Sequence, residues 1–386
     1  MNGAFISYTG DRIERGQVVK ALREHGINPW RDVENLDVGD DTTDTILAEL
    51  ANCSGVILWI NERIIQSAYV AKVELPAIAR AARNKHLRIV PVFDGMTPQE
   101  GAALVSRMGV EIGDSHGHVV DPDADPPTTS AAIASRYVRG HLKDAHTAGA
   151  SPVVRMVTYD DTASLRDRAV LNLDWRHHLT DGNLTANTEQ RLRSALHAAT
   201  GALKAAYGAC QVTIAAKAHL SLAVALGHAF SQPTGCTLRL HREDGAWTTL
   251  AAPENPAPLN ETRGGRGPVD AGRACVELSV TRNVDARVAA HISAGNRYRH
   301  RVILTPADGP GRTTVGSSEI ANGWAQQIGD VLTRVADQSD VDHTDLFLAT
   351  PIELAVMIGW WTNAAGRINL MDWAKTGPYR RLWELP

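Results

Sequence analysis

Glu74 stands in SAYVAKVELP, where Ser67, Val70, Ala71, Glu74, Ala77 and Ile78 follow the spacing of one helix face while Lys72, Arg80 and Arg83 look elsewhere. A carboxylate on a core-facing stripe costs free energy unless it is paired, protonated or opened to a cleft. Pro76 cannot donate a backbone hydrogen bond and crowds the carbonyl of Lys72, which predicts a bend beside the glutamate. On this segment alone two readings have equal weight: Glu74 emerges at the rim of the stripe, or it faces a cleft and does chemistry. The side chains available around such a cleft are Ser7, Tyr8, Trp30, Asp32, Trp59 and Ser67. Two tryptophans and a carboxylate could sandwich a planar ring, although a lone tryptophan is more often a core or rim aromatic. In the second half Lys217, His219, Thr281, Arg282 and Thr350 fall at strand-to-helix junctions, where backbone N–H groups and the positive dipole end suit phosphate. A single arginine such as Arg282 is by default a solvated surface charge.

The elements that must position Glu74 alternate strand and helix over residues 1–142, which favours an α/β fold with a mainly parallel sheet. AFISY, INPW, GVILWI and LRIVPVF read as strands, and the first helix ends near His25 with Gly26 in a left-handed cap position. In an open sheet of this kind ligands bind beyond the carboxyl ends of the strands, the edge that carries the residues named above. RDVENLDVGD is a polar loop after the second strand. Residues 111–130 read as loop, and their Asp114, His116, His118 and Asp121 are better explained as solvated groups than as a metal site. SAAIASRYVRGHLKDA closes the domain, and 143–154 serves as a linker to a second domain over 155–386.

That second domain repeats itself. IAAKAHLSLAVALG and LFLATPIELAVMIG align without a gap at an offset of 132 residues, each as strand, turn and helix. Two such units about a pseudo-twofold axis would turn two helix N-termini toward one crevice, with Thr350, Pro351 and Glu353 forming a capping box at the second. The chain of 386 residues carries a formal charge of −4, which argues against coating of polymeric nucleic acid. Its four cysteines show no paired spacing, no apolar run reaches membrane-span length, and MNGAFISY lacks the pattern of a signal peptide. A cytoplasmic protein with no membrane partner and no metal is expected.

FISYTGD, GINPWRDVENLDVGD and SAYVAKVEL, in this order and spacing, resemble the first box, the loop after the second strand and the glutamate-bearing helix of the Toll/interleukin-1 receptor (TIR) domain family. The family carries an aromatic residue four before the glutamate, whereas Tyr69 precedes Glu74 by five. The resemblance implies a flavodoxin-like fold and, from the family's enzymatic branch, cleavage of the nicotinamide N-glycosidic bond of NAD+ with Glu74 as the catalytic carboxylate. NAD+ is then a substrate and no resident cofactor is expected. AKAHLSLAVALG, ELSVTRNV and LFLATPIELAVMIGWW followed by INLMDW resemble the SAVED domain, two fused CARF-like (Rossmann-like) units. This implies binding of a cyclic oligonucleotide, with cyclic tri-adenylate the expectation, through Lys217, His219, Thr281, Arg282 and Thr350. The combination resembles the TIR–SAVED effectors of bacterial antiphage signalling (CBASS), which implies ligand-induced head-to-tail association into an oligomer or filament, with Asp37 and Val38 in the docking loop. The alternative is a non-enzymatic adaptor that senses a nucleotide and recruits partners through its TIR surface.

Overall fold

A computed structural model describes residues 3–8, 13–30, 42–85, 87–112, 117–160, 168–179, 182–252, 258–264, 267–268, 272–312, 314–373 and 378–386. Asp32, Asp37, Val38, Asp114 and His116 lie outside the described residues. The chain divides into two compact units, Met1–Pro152 with Leu165–Leu173 and Gly201–Ala206, and Val153–Ser164 with Asp174–Thr200 and Tyr207–Pro386.

The first unit is built on β1 (Gly3–Ser7), β2 (Asn28–Trp30), β3 (Gly55–Ile60), β4 (Arg88–Phe93) and β5 (His118–Val119). The strands are all parallel in the order β2-β1-β3-β4-β5, which is the flavodoxin-like order. GVILWI is buried at every position because β3 is central and covered on both faces. The helix Ile13–Glu24 ends as expected, and Gly26 takes a left-handed φ of 85° that a side chain would strain. One expectation is corrected. The stretch 111–130 contains β5 and the start of a helix, Pro126–Thr147, because Asp125 accepts from the Thr128 N–H and proline occupies the first turn. The same helix covers SAAIASRYVRGHLKDA as expected, and near its end Asp144 accepts two hydrogen bonds from Arg88 of β4, each 2.6 Å.

The chain continues through β6 (Val153–Val157), β7 (Leu171–Asp174), β8 (Gln211–Lys217), β9 (Thr237–Arg242), β10 (Gly245–Thr248), β11 (Asn260–Arg263), β12 (Arg273–Ser279), β13 (His300–Thr305), β14 (His343–Ala349), β15 (Ile368–Trp373) and β16 (Tyr379–Leu385). The order β10-β9-β8-β6 repeats as β16-β15-β14-β12, each with an antiparallel edge hairpin followed by parallel pairs, and β12 leads on to β13 and β11. Register repeats as well: Ile214 faces Leu240 as Leu346 faces Leu370, and Arg155 faces Ala215 as Glu277 faces Phe347.

The helices Leu220–Ala229 and Ile352–Trp361 follow β8 and β14 and cross closely. A Cβ on Gly227 would fall 1.9 Å from the Val356 carbonyl oxygen, and one on Gly359 would fall 2.0 Å from that of Val224. These four residues are two pairs at the offset of 132, so the repeat seen in the sequence is a pseudo-twofold contact in space.

Candidate functional site

Ser7 ends β1 at the point where the strand order reverses, between β2 and β3, and ligands of doubly wound sheets enter at such a switch point. Phe5, Trp30, Val56, Leu58 and Ile60 face the same core as Val70, Leu75 and Ile78 of the covering helix. Within that helix Val70–Glu74 is a π turn, with the Leu75 N–H bonded to the Val70 carbonyl, ahead of the regular helix Leu75–Lys85. The discontinuity predicted from Pro76 therefore takes the form of one wide turn. A wide turn accommodates one extra residue, so Tyr69, five before Glu74, sits where an α-helical residue four before it would sit.

Glu74 is 5 % exposed, which rejects the rim reading, and its Oε2 accepts a hydrogen bond from Ser7 Oγ at 2.6 Å. Ser67 is half-buried, and its hydroxyl accepts from the Val70 N–H at 3.3 Å, holding the start of the same helix. Tyr8 is half-buried immediately beyond Ser7. The tryptophans do not form a sandwich. Trp30 stacks on Phe5, with centroids 5.1 Å apart and planes at 14°. Trp59 lies three residues beyond Val56, the partner of Phe5, so alternation puts it on the opposite face of the sheet, where its indole N–H donates to Asp94 at 3.1 Å. Among the described residues no group of three or more His, Cys, Asp or Glu side chains could hold a metal ion.

In the second unit a cavity of about 450 Å³ is lined by Arg155, Ala215, Ala216, Lys217, His241, Arg242, Glu243, Asp244 and Glu353. Its floor is β6, β8 and the end of β9, and its wall includes the first turn of Ile352–Trp361. Arg155 is buried, whereas Lys217 is exposed. The Arg242 guanidinium donates to Asp244 at 2.7 and 2.9 Å, lies 3.4 Å from Glu353 and sits 4.3 Å above the Trp247 ring. Burial raises the Glu353 carboxyl above the ordinary range despite that nearby cation.

Of the junction residues predicted from sequence, Lys217 lines this cavity and the other four do not. His219 is buried, with Nδ1 2.8 Å from Thr158 Oγ1 and its ring stacked on Tyr159 at 4.2 Å; burial lowers its imidazole to about 4. The Thr281 N–H donates to the Ala349 carbonyl at 2.9 Å, and Arg282 is exposed. Thr350 is buried with its Oγ1 unpartnered. The expected capping box is absent because Pro351 takes the cap position, which leaves Thr350 one residue too early. Arg155 and Glu353 are functional candidates that the junction pattern missed. The signal for Arg155 was present in VVRMV, a charge inside an apolar strand, the same kind of anomaly that marked Glu74.

Residues 189–385 match the family model of the SMODS-associated and fused to various effectors sensor domain, SAVED. The chain belongs to the SAVED family. Residues 4–116 match the TIR domain model, so a TIR domain precedes the SAVED domain in one chain. No curated protein matches the sequence. Among solved structures, the Acinetobacter baumannii Cap4 SAVED/CARF-domain containing receptor with the cyclic trinucleotide 2'3'3'-cAAA is similar at 11 % identity and a TM-score of 0.51, over 98 % of this chain and 99 % of that one. The same receptor with 3'3'3'-cAAA is similar at 12 % identity and a TM-score of 0.50, over 97 % and 99 %. At such identity the likeness establishes the fold. In SAVED terms β6–β10 and β12–β16 are the two CARF-like halves, and the cavity lies over strands of the first with Glu353 of the second in its wall.

Proposed function

We propose that this chain is a cyclic-oligonucleotide-activated NAD+ glycohydrolase: the SAVED domain binds the signal, binding drives association of chains, and the TIR domain then cleaves NAD+. The observation that carries the enzymatic reading is the buried Glu74 carboxylate, held by Ser7 at the carboxyl end of β1. Departure of neutral nicotinamide takes the electron pair of the N-glycosidic bond and leaves positive charge on the ribose. A carboxylate fixed in a poorly solvated place stabilises that charge more than water would, and without reorganising. Water then bonds to the sugar carbon and loses a proton, giving ADP-ribose.

The sensing reading is supported by membership of a sensor-domain family and by the cyclic trinucleotides named with the Cap4 receptor, whose fold this chain shares. A signal activates only if the active arrangement binds it more tightly than the idle one, and association of chains supplies that difference when the ligand completes a shared surface.

The test is nicotinamide release measured with cyclic di-, tri- and tetranucleotides, and repeated with Glu74→Gln. One ring should switch on release in the wild type, and the variant should bind it normally while release falls by a factor on the order of 100 to 1,000. A folded Glu74→Gln protein with undiminished turnover removes the glutamate from the chemistry, and a chain silent with every ring removes the enzymatic reading.

A further inference from the structure

The four cysteines are far apart in sequence and all are free thiols, but the fold brings Cys210 and Cys236 together. β8 and β9 pair in parallel from Gln211 opposite Thr237, and the two cysteines directly precede that pair. The Thr237 N–H donates to the Cys210 carbonyl at 3.0 Å, so the ladder reaches Cys210. Neighbouring strands run about 4.8 Å apart, inside the roughly 4.4–6.8 Å between Cα atoms that a disulfide spans. By alternation Cys210 continues the face of Val212 and Ile214, and Cys236 that of Leu238 and Leu240, four side chains that are all buried. Both thiols therefore leave the ladder on the same side. Burial, and then the Cys236 sulfur beside it, push the Cys210 thiol up to about 11.

The two positions differ in access. Cys236 is 1 % exposed, whereas Cys210 is half-buried, so a small oxidant meets Cys210 first and finds Cys236 behind it. The other two thiols are placed differently. Cys275 donates to Glu277 at 3.6 Å inside the second half, and Cys53 lies buried in the first unit, its thiol pushed up to about 12 by burial and by Glu49. A bond between Cys210 and Cys236 would close a loop that holds the whole helix Leu220–Ala229. The Cys236 carbonyl also accepts from the Trp360 indole N–H at 2.9 Å, and Trp360 belongs to the helix that crosses Leu220–Ala229. The bond would thus sit at the foot of the twofold contact.

We propose that Cys210 and Cys236 form an oxidant-responsive pair, which hydrogen peroxide converts into a disulfide that staples the start of β8 to the start of β9. The Cys210 thiolate attacks peroxide: the O–O bond breaks, an S–O bond forms and hydroxide leaves, giving a sulfenic acid. The Cys236 sulfur gives up its proton and attacks that sulfur, the S–O bond breaks, and the hydroxyl departs with the proton as water. Two thiols lose two electrons in all, and one peroxide becomes two waters. At pH 7 only about one Cys210 thiol in 10,000 is ionised, so the pair answers sustained exposure rather than a brief pulse. Once formed, the staple restricts the unfolded chain and stabilises the domain.

The test treats the reduced full-length chain with hydrogen peroxide for hours and maps its peptides without reduction. One cross-link joining Cys210 to Cys236 is expected, with Cys53 and Cys275 still open to alkylation after unfolding. The melting temperature should rise by on the order of 5 °C and return with dithiothreitol. In Cys236→Ala the sulfenic acid on Cys210 has no thiol to resolve it, so dimedone should label Cys210 and the melting temperature should not rise. Should Cys236→Ala fail to fold, Cys210→Ser at the more accessible position carries the test, with neither cross-link nor rise expected. Cys210 over-oxidised beside a free Cys236, or a cross-link between chains in place of the internal one, overturns the pair. An internal cross-link that leaves the melting temperature unchanged or lowers it overturns the staple.

Discussion

Glu74 was conspicuous as a charge in an apolar run, Arg155 carries the same signal but went unread, and both are buried. One neighbour of Glu74 is Ser7, which the sequence offered only as a group near the substrate. Ser7→Ala removes a donor from a buried carboxylate, so the folded protein should lose about 1–3 kcal/mol. The carboxylate also loses a constraint on its direction. Nicotinamide release at saturating NAD+ should fall while the affinity for the activator stays, and Ser7→Thr, which keeps the hydroxyl, should recover part of the rate. An unchanged kcat in Ser7→Ala would make the hydroxyl a packing group.

His219 gives a pH dependence at the same scale. Its folded-state value is about 4 and its ordinary value is 6.5. Between those values the unfolded chain holds more protons than the folded one, so stability is intact above pH 6.5 and is lost as the pH falls toward 4. At about 1.4 kcal/mol per unit, the loss is on the order of 3 kcal/mol. Thermal melting from pH 7.5 to 4 should show a smaller drop in His219→Asn than in the wild type. Equal slopes would remove His219 as a source of the acid sensitivity. His141, lowered to about 4 by burial in the first unit, contributes with the same sign and remains in both proteins.

Elements were legible where their signals were local, and misread where they depended on pairing. GVILWI announced a buried central strand, and the 132-residue offset announced the paired helices. The relation of Trp30 to Trp59 was hidden, because the faces they occupy follow from the register of β2 and β3 against β1, which no local pattern states. The site was legible in the same measure: Glu74 stood out from its own helix, and Lys217 from its junction. The cavity did not, since it is assembled from three strands and a helix of the other half. The π turn was half-visible: Pro76 predicted a discontinuity and Tyr69 an extra residue, but joining the two required the backbone. At the helix crossing the pattern carries a direct consequence. Gly359→Ala would drive its Cβ to 2.0 Å from the Val224 carbonyl and 2.7 Å from the His228 nitrogen, so the helices must separate. Overpacking of this kind costs typically 1–3 kcal/mol or more. Gly201→Ala is the control: it lies inside the helix Ala186–Tyr207 with nothing within 4 Å of the new Cβ, and should stabilise by roughly 0.5–1 kcal/mol. Denaturant melts should move in opposite directions. A neutral Gly359→Ala would mean that the crossing yields, and that the twofold contact is looser than the geometry implies.

For the whole molecule the proposal is that a sensor with no chemistry of its own governs a TIR domain that has chemistry but no reason of its own to be silent. An equilibrium between chains supplies that reason. If neighbouring TIR domains complete one pocket, the polar loop RDVENLDVGD is the contact the sequence favours, since it follows the strand beside β1 and mixes acidic with apolar residues. Replacing Asp37 and Val38 together should leave ring binding intact and abolish both growth in particle size and NAD+ cleavage. Association is second order, so specific activity at saturating ring should rise with protein concentration and fall on dilution even though every sensor is occupied. The deciding measurement is turnover per molecule over a wide dilution series, with particle size followed in parallel by light scattering. A ring-saturated monomer that cleaves NAD+ at the full rate would place the switch within one chain. The Asp37 and Val38 variant would then be expected to keep its activity.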